Sequence, residues 1–74
     1  MNKERLNNLF RERLRTIREK KGITQSELAR RIGKTPSYVC DVERGRRIGI
    51  TLATLALFAA GLDISPAKLV EKKP

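Results

Sequence analysis

Capping signals divide this chain into short helical stretches. Thr24, Thr35 and Thr51 each precede apolar residues at helical spacing, and Pro36 follows Thr35. A threonine hydroxyl can accept a hydrogen bond from the first helical turn, and proline suits the first helical position. Glycine favours the left-handed backbone found just beyond a helix. Glycines of this kind follow the apolar patterns, namely Gly22, Gly33, Gly45 and Gly61.

The apolar residues recur every three or four positions, as on one face of a helix. They are Leu6, Leu9, Phe10, Leu14 and Ile17 in the first helix, Leu28, Ala29 and Ile32 in the second, and Val39 and Val42 in the third. A fourth helix is predicted from Leu52 to about Ala60, and Ser65-Pro66 indicates a short fifth one. No stretch alternates long enough to indicate a strand. The sequence therefore predicts an all-α, five-helix fold in a single domain over residues 1–74.

The residue types present exclude several ways of stabilising a small fold. The 74 residues include one cysteine and no histidine, so neither an internal disulfide nor an ordinary zinc site can form. A lone thiol without a base is also a poor nucleophile for catalysis. We therefore expect no enzymatic activity, no metal or other cofactor, and no small-molecule ligand. Stability has to come from helix packing, with or without a second chain.

Positive charge is concentrated in the first part of the chain. Seventeen lysines and arginines oppose eight aspartates and glutamates, for a formal net charge of +9. Fourteen of those cations and six of the anions lie in residues 1–47. Such charge favours a polyanionic partner, with nucleic acid ahead of an acidic membrane. Because the cations and the apolar residues lie on different segments, we expect no membrane-surface binding.

The later, apolar part is too short to span a membrane. Its uncharged run from Ile48 to Leu62 has fifteen residues, whereas a spanning helix needs about 20. Met1–Phe10 is polar and does not resemble a signal peptide. Together with the lone thiol, these features predict a cytoplasmic location.

The second and third predicted helices form one unit. Only Gly33-Lys34 separates the second helix from the residue that caps the third, which is the helix-turn-helix arrangement, with its motif at about 24–44. On a helical wheel, the buried Val39 and Val42 leave a polar outer face. Its residues are Ser37, Asp41 and Arg44, flanked by Tyr38 and Cys40. Hydroxyl, carboxylate and guanidinium groups together suit base edges in the major groove.

These segments resemble a known family. The residues that carry the resemblance are GITQSELARRIG at 22–33, SYV at 37–39 and VERGRR at 42–47. They look like the Cro/repressor-type helix-turn-helix family, and are most similar to restriction–modification controller proteins and related small repressors. The resemblance implies a five-helix transcriptional regulator, a repressor, that binds double-stranded DNA as a homodimer. A two-fold dimer would place two third helices in successive major grooves of a palindromic operator.

The resemblance also implies roles for individual side chains in DNA binding. Gln25 would contact a phosphate. The groove would be faced by Ser37, Tyr38 and Asp41, and the backbone or bases would be approached by Arg44 and Arg46. Lys34, in the turn, is a further expected phosphate contact. Pro36 replaces the base-reading side chain that controller-type relatives often have, and it offers only apolar contact, for example to a thymine methyl. For Tyr38 the alternative is packing on the first helix or a loop.

One ion pair is implied by the same resemblance. Arg18 in the first helix would pair with Glu43 at the end of the third, and in the family this buried pair ties the two helices together. The alternative is that Glu43 pairs at the surface with Arg46 or Arg47.

The fourth helix is apolar nearly all round, although a helix on the surface of a lone domain normally keeps a polar side. We therefore expect a homodimer interface at this end of the chain, formed by Leu57, Leu62, Ile64, Leu69 and Val70. Two alternatives stay open. Either the fifth helix alone covers this surface, or the chain is a protein-interaction module, an adaptor or antitoxin-like protein, that binds its partner there.

Overall fold

The chain folds into helices that surround one core. A computed structural model describes residues 3–47 and 50–72, and part of the uncharged run, Ile48 and Gly49, lies outside them. The α-helices are α1 (Lys3–Lys20), α2 (Gln25–Ile32), α3 (Pro36–Glu43) and α4 (Leu52–Leu62), followed by a 3₁₀ helix at Pro66–Val70. All regular structure within the described ranges is helical, so the predicted all-α class is confirmed.

The fifth predicted helix is a 3₁₀ helix instead of an α-helix. Its five residues include Lys68, whose N–H donates to the carbonyl of Ser65, three positions back, at 3.0 Å. Such short pieces favour the tighter 3₁₀ turn, because an α-helix gains few hydrogen bonds for the residues it must order. The turn inserts Leu69 fully into the core.

The predicted threonine caps are present at three helix starts. Thr24 Oγ1 accepts from the N–H of Glu27 at 3.0 Å. Thr35 Oγ1 accepts from Tyr38 N–H at 3.2 Å, and Thr51 Oγ1 accepts from Thr54 N–H at 3.0 Å. Each cap satisfies a donor that the helix leaves unpaired, which fixes where α2, α3 and α4 begin.

The core joins all of these helices. At its centre Phe58 of α4 meets Phe10 of α1 edge to face, with ring centroids 6.0 Å apart. Its buried hydrophobic residues are Phe10, Leu14, Ile23, Leu28, Ala29, Ile32, Val39, Val42, Phe58, Ala59, Leu62 and Leu69. The inward faces predicted for the second and third helices are therefore confirmed.

Gly61 has a role that differs from the predicted one. Helix α4 continues through it to Leu62 and ends at Asp63, which takes the left-handed conformation with φ of 56°. A Cβ on Gly61 would lie 2.5 Å from Ile32 Cγ2 and 2.9 Å from Leu28 Cδ1. The glycine therefore permits α2 and α4 to approach closely, while the chain reversal falls on the aspartate.

Two residues of the predicted dimer interface are buried inside their own chain. Leu62 and Leu69 are each 0% exposed, so they offer no surface to a second copy, and the prediction is wrong for them. The physical reason is that the 3₁₀ helix folds back against α1 and α4. Leu57 and Ile64 are half-buried against the core, and Val70 is also half-buried.

Replacing Gly61 by alanine tests the close approach of α2 and α4. Alanine favours a helix over glycine by about 1 kcal/mol, but the added methyl overpacks the core, which costs about 1–3 kcal/mol. We expect a net loss in the free energy of unfolding, measured by urea denaturation. In an Ile32→Ala background the loss should be smaller, because the nearer of the two close contacts is gone while the one with Leu28 remains. An equal loss in both backgrounds would contradict the steric explanation.

Candidate nucleic-acid interface

A tight connection joins α2 to α3. Gly33 follows α2 with φ of 69°, and the N–H of Lys34 donates back to the carbonyl of Ala29 at 2.9 Å. This reversal closes α2, so that Thr35 can cap α3 immediately afterwards. The two helices then pack against each other, as in the predicted helix-turn-helix unit.

Helix α3 has a buried face and an outer face. Val39 and Val42 are 0% and 6% exposed, and they anchor the helix to the core. The outward residues keep the mixed polar character that the sequence predicted. Those that are exposed are Pro36, Ser37 and Arg44, and those that are half-buried are Cys40 and Asp41. A hydroxyl, a carboxylate and a guanidinium are thus presented together at one surface.

A buried ion pair holds the end of α3 to α1. Arg18 is 9% exposed and binds Glu43 through two contacts, Nε to Oε2 at 2.6 Å and Nη2 to Oε1 at 3.1 Å. Its remaining Nη1 donates to the carbonyl of Ile23 at 2.8 Å. The hydrogen bond with Glu43 raises the pKa of the Arg18 guanidinium above its usual value. The structure therefore contains the pair that the resemblance implied.

Gln25 belongs to the same network. Its Nε2 donates to Oε1 of Glu43 at 3.1 Å, so the first residue of α2 is connected to the last residue of α3. Half-buried Gln25 is consequently fixed at the C-terminal end of α3. Because both oxygens of the Glu43 carboxylate accept directional hydrogen bonds, the carboxylate restricts the orientations of the Arg18 and Gln25 side chains.

Tyr38 packs against the core. Its ring is stacked on that of Phe58, with the centroids 6.0 Å apart and the planes 5° from parallel. Two cations lie over the same ring: Lys34 Nζ is 5.3 Å and Arg47 Cζ is 4.6 Å from its centroid. Of the two roles expected for Tyr38, groove contact and packing, the structure is closer to packing. The ring packs on α4, however, and not on the first helix or a loop.

The acidic residue of the outer face has a partner of its own. Arg46 Nη1 lies 3.5 Å from Asp41 Oδ1, and the N–H of Arg46 donates to the carbonyl of Asp41 at 2.9 Å. The guanidinium is 63% exposed. Such an exposed pair adds little to stability, about 0–1 kcal/mol at most, so a phosphate can displace it.

Sequence reasoning missed two features of this surface. Arg47 was not among the expected contacts, although its position in the run Arg44-Gly45-Arg46-Arg47 was a usable signal. The bond from Gln25 to Glu43 had no such signal, because it depends on how α2 and α3 pack. Both features are contacts that α3 makes with residues outside it, Gln25 of α2 and Arg47 of the segment that follows α3.

Other kinds of site have little support in the described ranges. Among residues 3–47 and 50–72, no group of acidic or cysteine side chains could hold a metal ion, and no helix there is long and apolar enough to cross a membrane. A depression of about 630 Å³ lies beside Tyr38 and Arg47, but it is open to solvent. An enclosed ligand cavity would bury most of its occupant.

Known proteins share both sequence and fold with this chain. A family model described as helix-turn-helix matches residues 14–69. The HTH-type transcriptional regulator SinR of Bacillus subtilis (strain 168) is 32% identical over 62 residues, which are 84% of this chain and 56% of SinR. This chain thus spans little more than half the length of that relative.

Two further proteins extend the comparison. The uncharacterized HTH-type transcriptional regulator y4dJ of Sinorhizobium fredii (strain NBRC 101917 / NGR234) is 41% identical over 54 residues, covering 73% of this chain and 69% of y4dJ. The crystal structure of the restriction-modification controller protein C.AhdI from Aeromonas hydrophila superposes with a TM-score of 0.74 at 43% identity, covering 81% of this chain and 86% of that one. The predicted resemblance to controller proteins is confirmed by this match.

Removing one partner of the buried pair tests its importance. Arg18→Met leaves the Glu43 carboxylate buried without a cation, and we expect it to lower the free energy of unfolding by about 3–5 kcal/mol. Urea denaturation followed by circular dichroism measures the loss. The double variant Arg18→Met/Glu43→Leu removes both charges and should be more stable than Arg18→Met alone. Losses that simply add would show that the two side chains act independently.

Proposed function

Because this chain belongs to the helix-turn-helix family, we propose that it is a sequence-specific DNA-binding transcriptional regulator that inserts α3 into the major groove. The observation that carries the proposal is the outer face of α3, which presents exposed Ser37 and half-buried Asp41 and is followed directly by exposed Arg44, on a helix anchored from behind. A net charge of +9 supports a polyanionic partner. The regulators named above support transcription as the process, and repression needs only occupation of the operator.

The outer face offers groups that can discriminate between base pairs. The Ser37 hydroxyl can donate or accept, and the Asp41 carboxylate can accept from the amino group of cytosine. Exposed Pro36 supplies an apolar contact for a thymine methyl at the start of the helix. These three residues are proposed to choose the site.

A second set of residues is proposed to bind phosphates. Gln25 is held beside α3 by the hydrogen bond from its Nε2 to Glu43, and the second N–H of Nε2 can donate to a phosphate oxygen. Lys34 and Arg44 flank α3 at its two ends, and Arg46 reaches a phosphate by leaving Asp41. Phosphate contacts of this kind fix the register of the protein on the duplex without reading sequence.

We further propose that the regulator is a homodimer on a palindromic operator. Helix α4 has no charged residue, and its solvent side is apolar, with Leu52 85% exposed. The same side exposes Ala53, Ala56 and Ala60. Of the residues expected in the interface, Leu57, Ile64 and Val70 are half-buried and keep some exposed surface. To read two half-sites in successive major grooves, such a dimer needs its two copies of α3 about 34 Å apart, one helical turn of DNA.

The apolar side of α4 also favours a second candidate function. An exposed apolar helix face is a common docking surface for another protein. In that case the chain would act as a protein-interaction module, and α3 would serve only to complete the fold.

Selection from random-sequence duplex DNA tests the main proposal. We expect the recovered sequences to share an inverted repeat, because each copy of α3 reads one half-site. Asp41→Asn should change the preferred base at one position of each half-site, whereas Arg44→Gln should weaken binding to every sequence alike. Recovery of no preferred sequence at moderate salt would reject sequence-specific binding.

The oligomeric state separates the two uses of α4. Ala56→Glu puts a charge on the apolar face and should convert a dimer into a monomer with much weaker operator binding. Ser26→Glu adds the same charge at another exposed helical position. It is the control for the oligomer's molar mass in solution and should leave the dimer intact. Sedimentation equilibrium measures both variants. A monomeric parent protein, or Ala56→Glu with unchanged DNA affinity, would favour the protein-interaction module.

A further inference from the structure

The Tyr38 ring joins the core to cations from both ends of α3. Lys34 precedes the helix and Arg47 follows it, yet both lie over this one ring, at 5.3 Å and 4.6 Å from its centroid. The ring itself is stacked on Phe58, which is 0% exposed. Two surface cations, one on each side of α3 in sequence, thus contact one ring that is packed on the core.

We propose that Tyr38 is a positioning residue that arranges Lys34 and Arg47 for contact with DNA phosphates, and that Arg47 is itself a phosphate-binding residue. This inference rests on the proposed DNA-binding function. It assigns to Tyr38 a role different from the base contact expected from the sequence. The ring acts through the two cations, and its hydroxyl reads no base.

The physical basis is the attraction between a cation and the face of an aromatic ring. At an exposed site this attraction is worth about 0.5–1 kcal/mol for each cation. Lysine and arginine side chains lose considerable rotamer freedom when they bind a phosphate. A ring that already restricts both chains lowers that loss, so the contacts form with less entropic cost.

The anchoring of the ring makes it suitable for this task. Phe58 holds Tyr38 from the core side and is in turn packed edge to face on Phe10. Tyr38 is half-buried, and turning it into the groove would break the stacking and expose apolar surface. The hydrophobic packing thus keeps the Tyr38 ring against the core, in contact with both cations.

The role predicts a definite pattern of binding losses. A base-reading residue, when replaced, weakens binding to the preferred sequence and leaves non-specific binding unchanged. A residue that positions phosphate contacts weakens both equally, because phosphates carry no sequence information. Its effect also vanishes when the cations that it positions are absent.

The experiment measures affinity for two duplexes of equal length, one carrying the sequence recovered by selection and one of random sequence. Fluorescence anisotropy is recorded over a range of salt concentrations for the full chain. The variants are Tyr38→Phe, which keeps the ring, Tyr38→Leu, which keeps only apolar packing, and Lys34→Gln/Arg47→Gln with and without Tyr38→Leu. Lys68→Gln, an exposed cation on the 3₁₀ helix, is the control for loss of charge. Urea denaturation confirms that each variant is folded under the binding conditions.

We expect Tyr38→Phe to bind both duplexes as the parent does, and Tyr38→Leu to lose about fivefold on each. Lys34→Gln/Arg47→Gln should make the plot of log affinity against log salt less steep, by about 0.9 for each phosphate that the variant no longer binds. This change should exceed the one that Lys68→Gln causes. Adding Tyr38→Leu to that double variant should then change nothing.

Three results would overturn the inference while leaving the proposed function intact. They are a loss in Tyr38→Phe confined to the selected duplex, a Tyr38→Leu loss that persists without the two cations, and a salt slope unchanged by their removal. If Tyr38→Leu does not fold, the binding of Tyr38→Phe to the two duplexes and the salt slopes test the inference instead. A parent protein that binds neither duplex, even at low salt, would instead reject the proposed DNA-binding function itself.

Discussion

The buried contact between Arg18 and Glu43 is the interaction on which the orientation of α3 depends. It fastens the last residue of α3 to α1, and the same carboxylate receives Gln25 from the start of α2. Three helices thus meet at one side chain that is 4% exposed. Burying either charge without its partner would be costly. The ion pair therefore restricts the orientation of α3 against α1 more than apolar packing alone would.

The two sides of α3 have different roles. Val39 and Val42 bind the helix to the core, while the outer side carries polar groups that need no partner within the chain to remain stable in water. Tyr38 lies between these sides, since its ring contacts both Phe58 and the surface cations. Lys34, Arg46 and Arg47 therefore lie next to a chemically mixed surface, an arrangement that suits recognition of a duplex.

Local signals predicted most of the fold. Threonine caps and apolar spacing gave the starts and the inward sides of α2 and α3, because both depend on neighbouring residues alone. The 3₁₀ helix, the burial of Leu62 and Leu69, and the close contact at Gly61 depend on packing between distant segments. At the candidate interface, residue types predicted the polar outer side of α3, whereas the stacking of Tyr38 on α4 required the assembled core.

Amide chemical-shift mapping during titration with the selected duplex shows whether α3 and the residues around it form the DNA-binding surface. We expect the largest changes at Gln25, at Lys34 and along residues 37–47, with the backbone of α4 little affected. Changes confined to residues 52–60, or no changes at all, would contradict it.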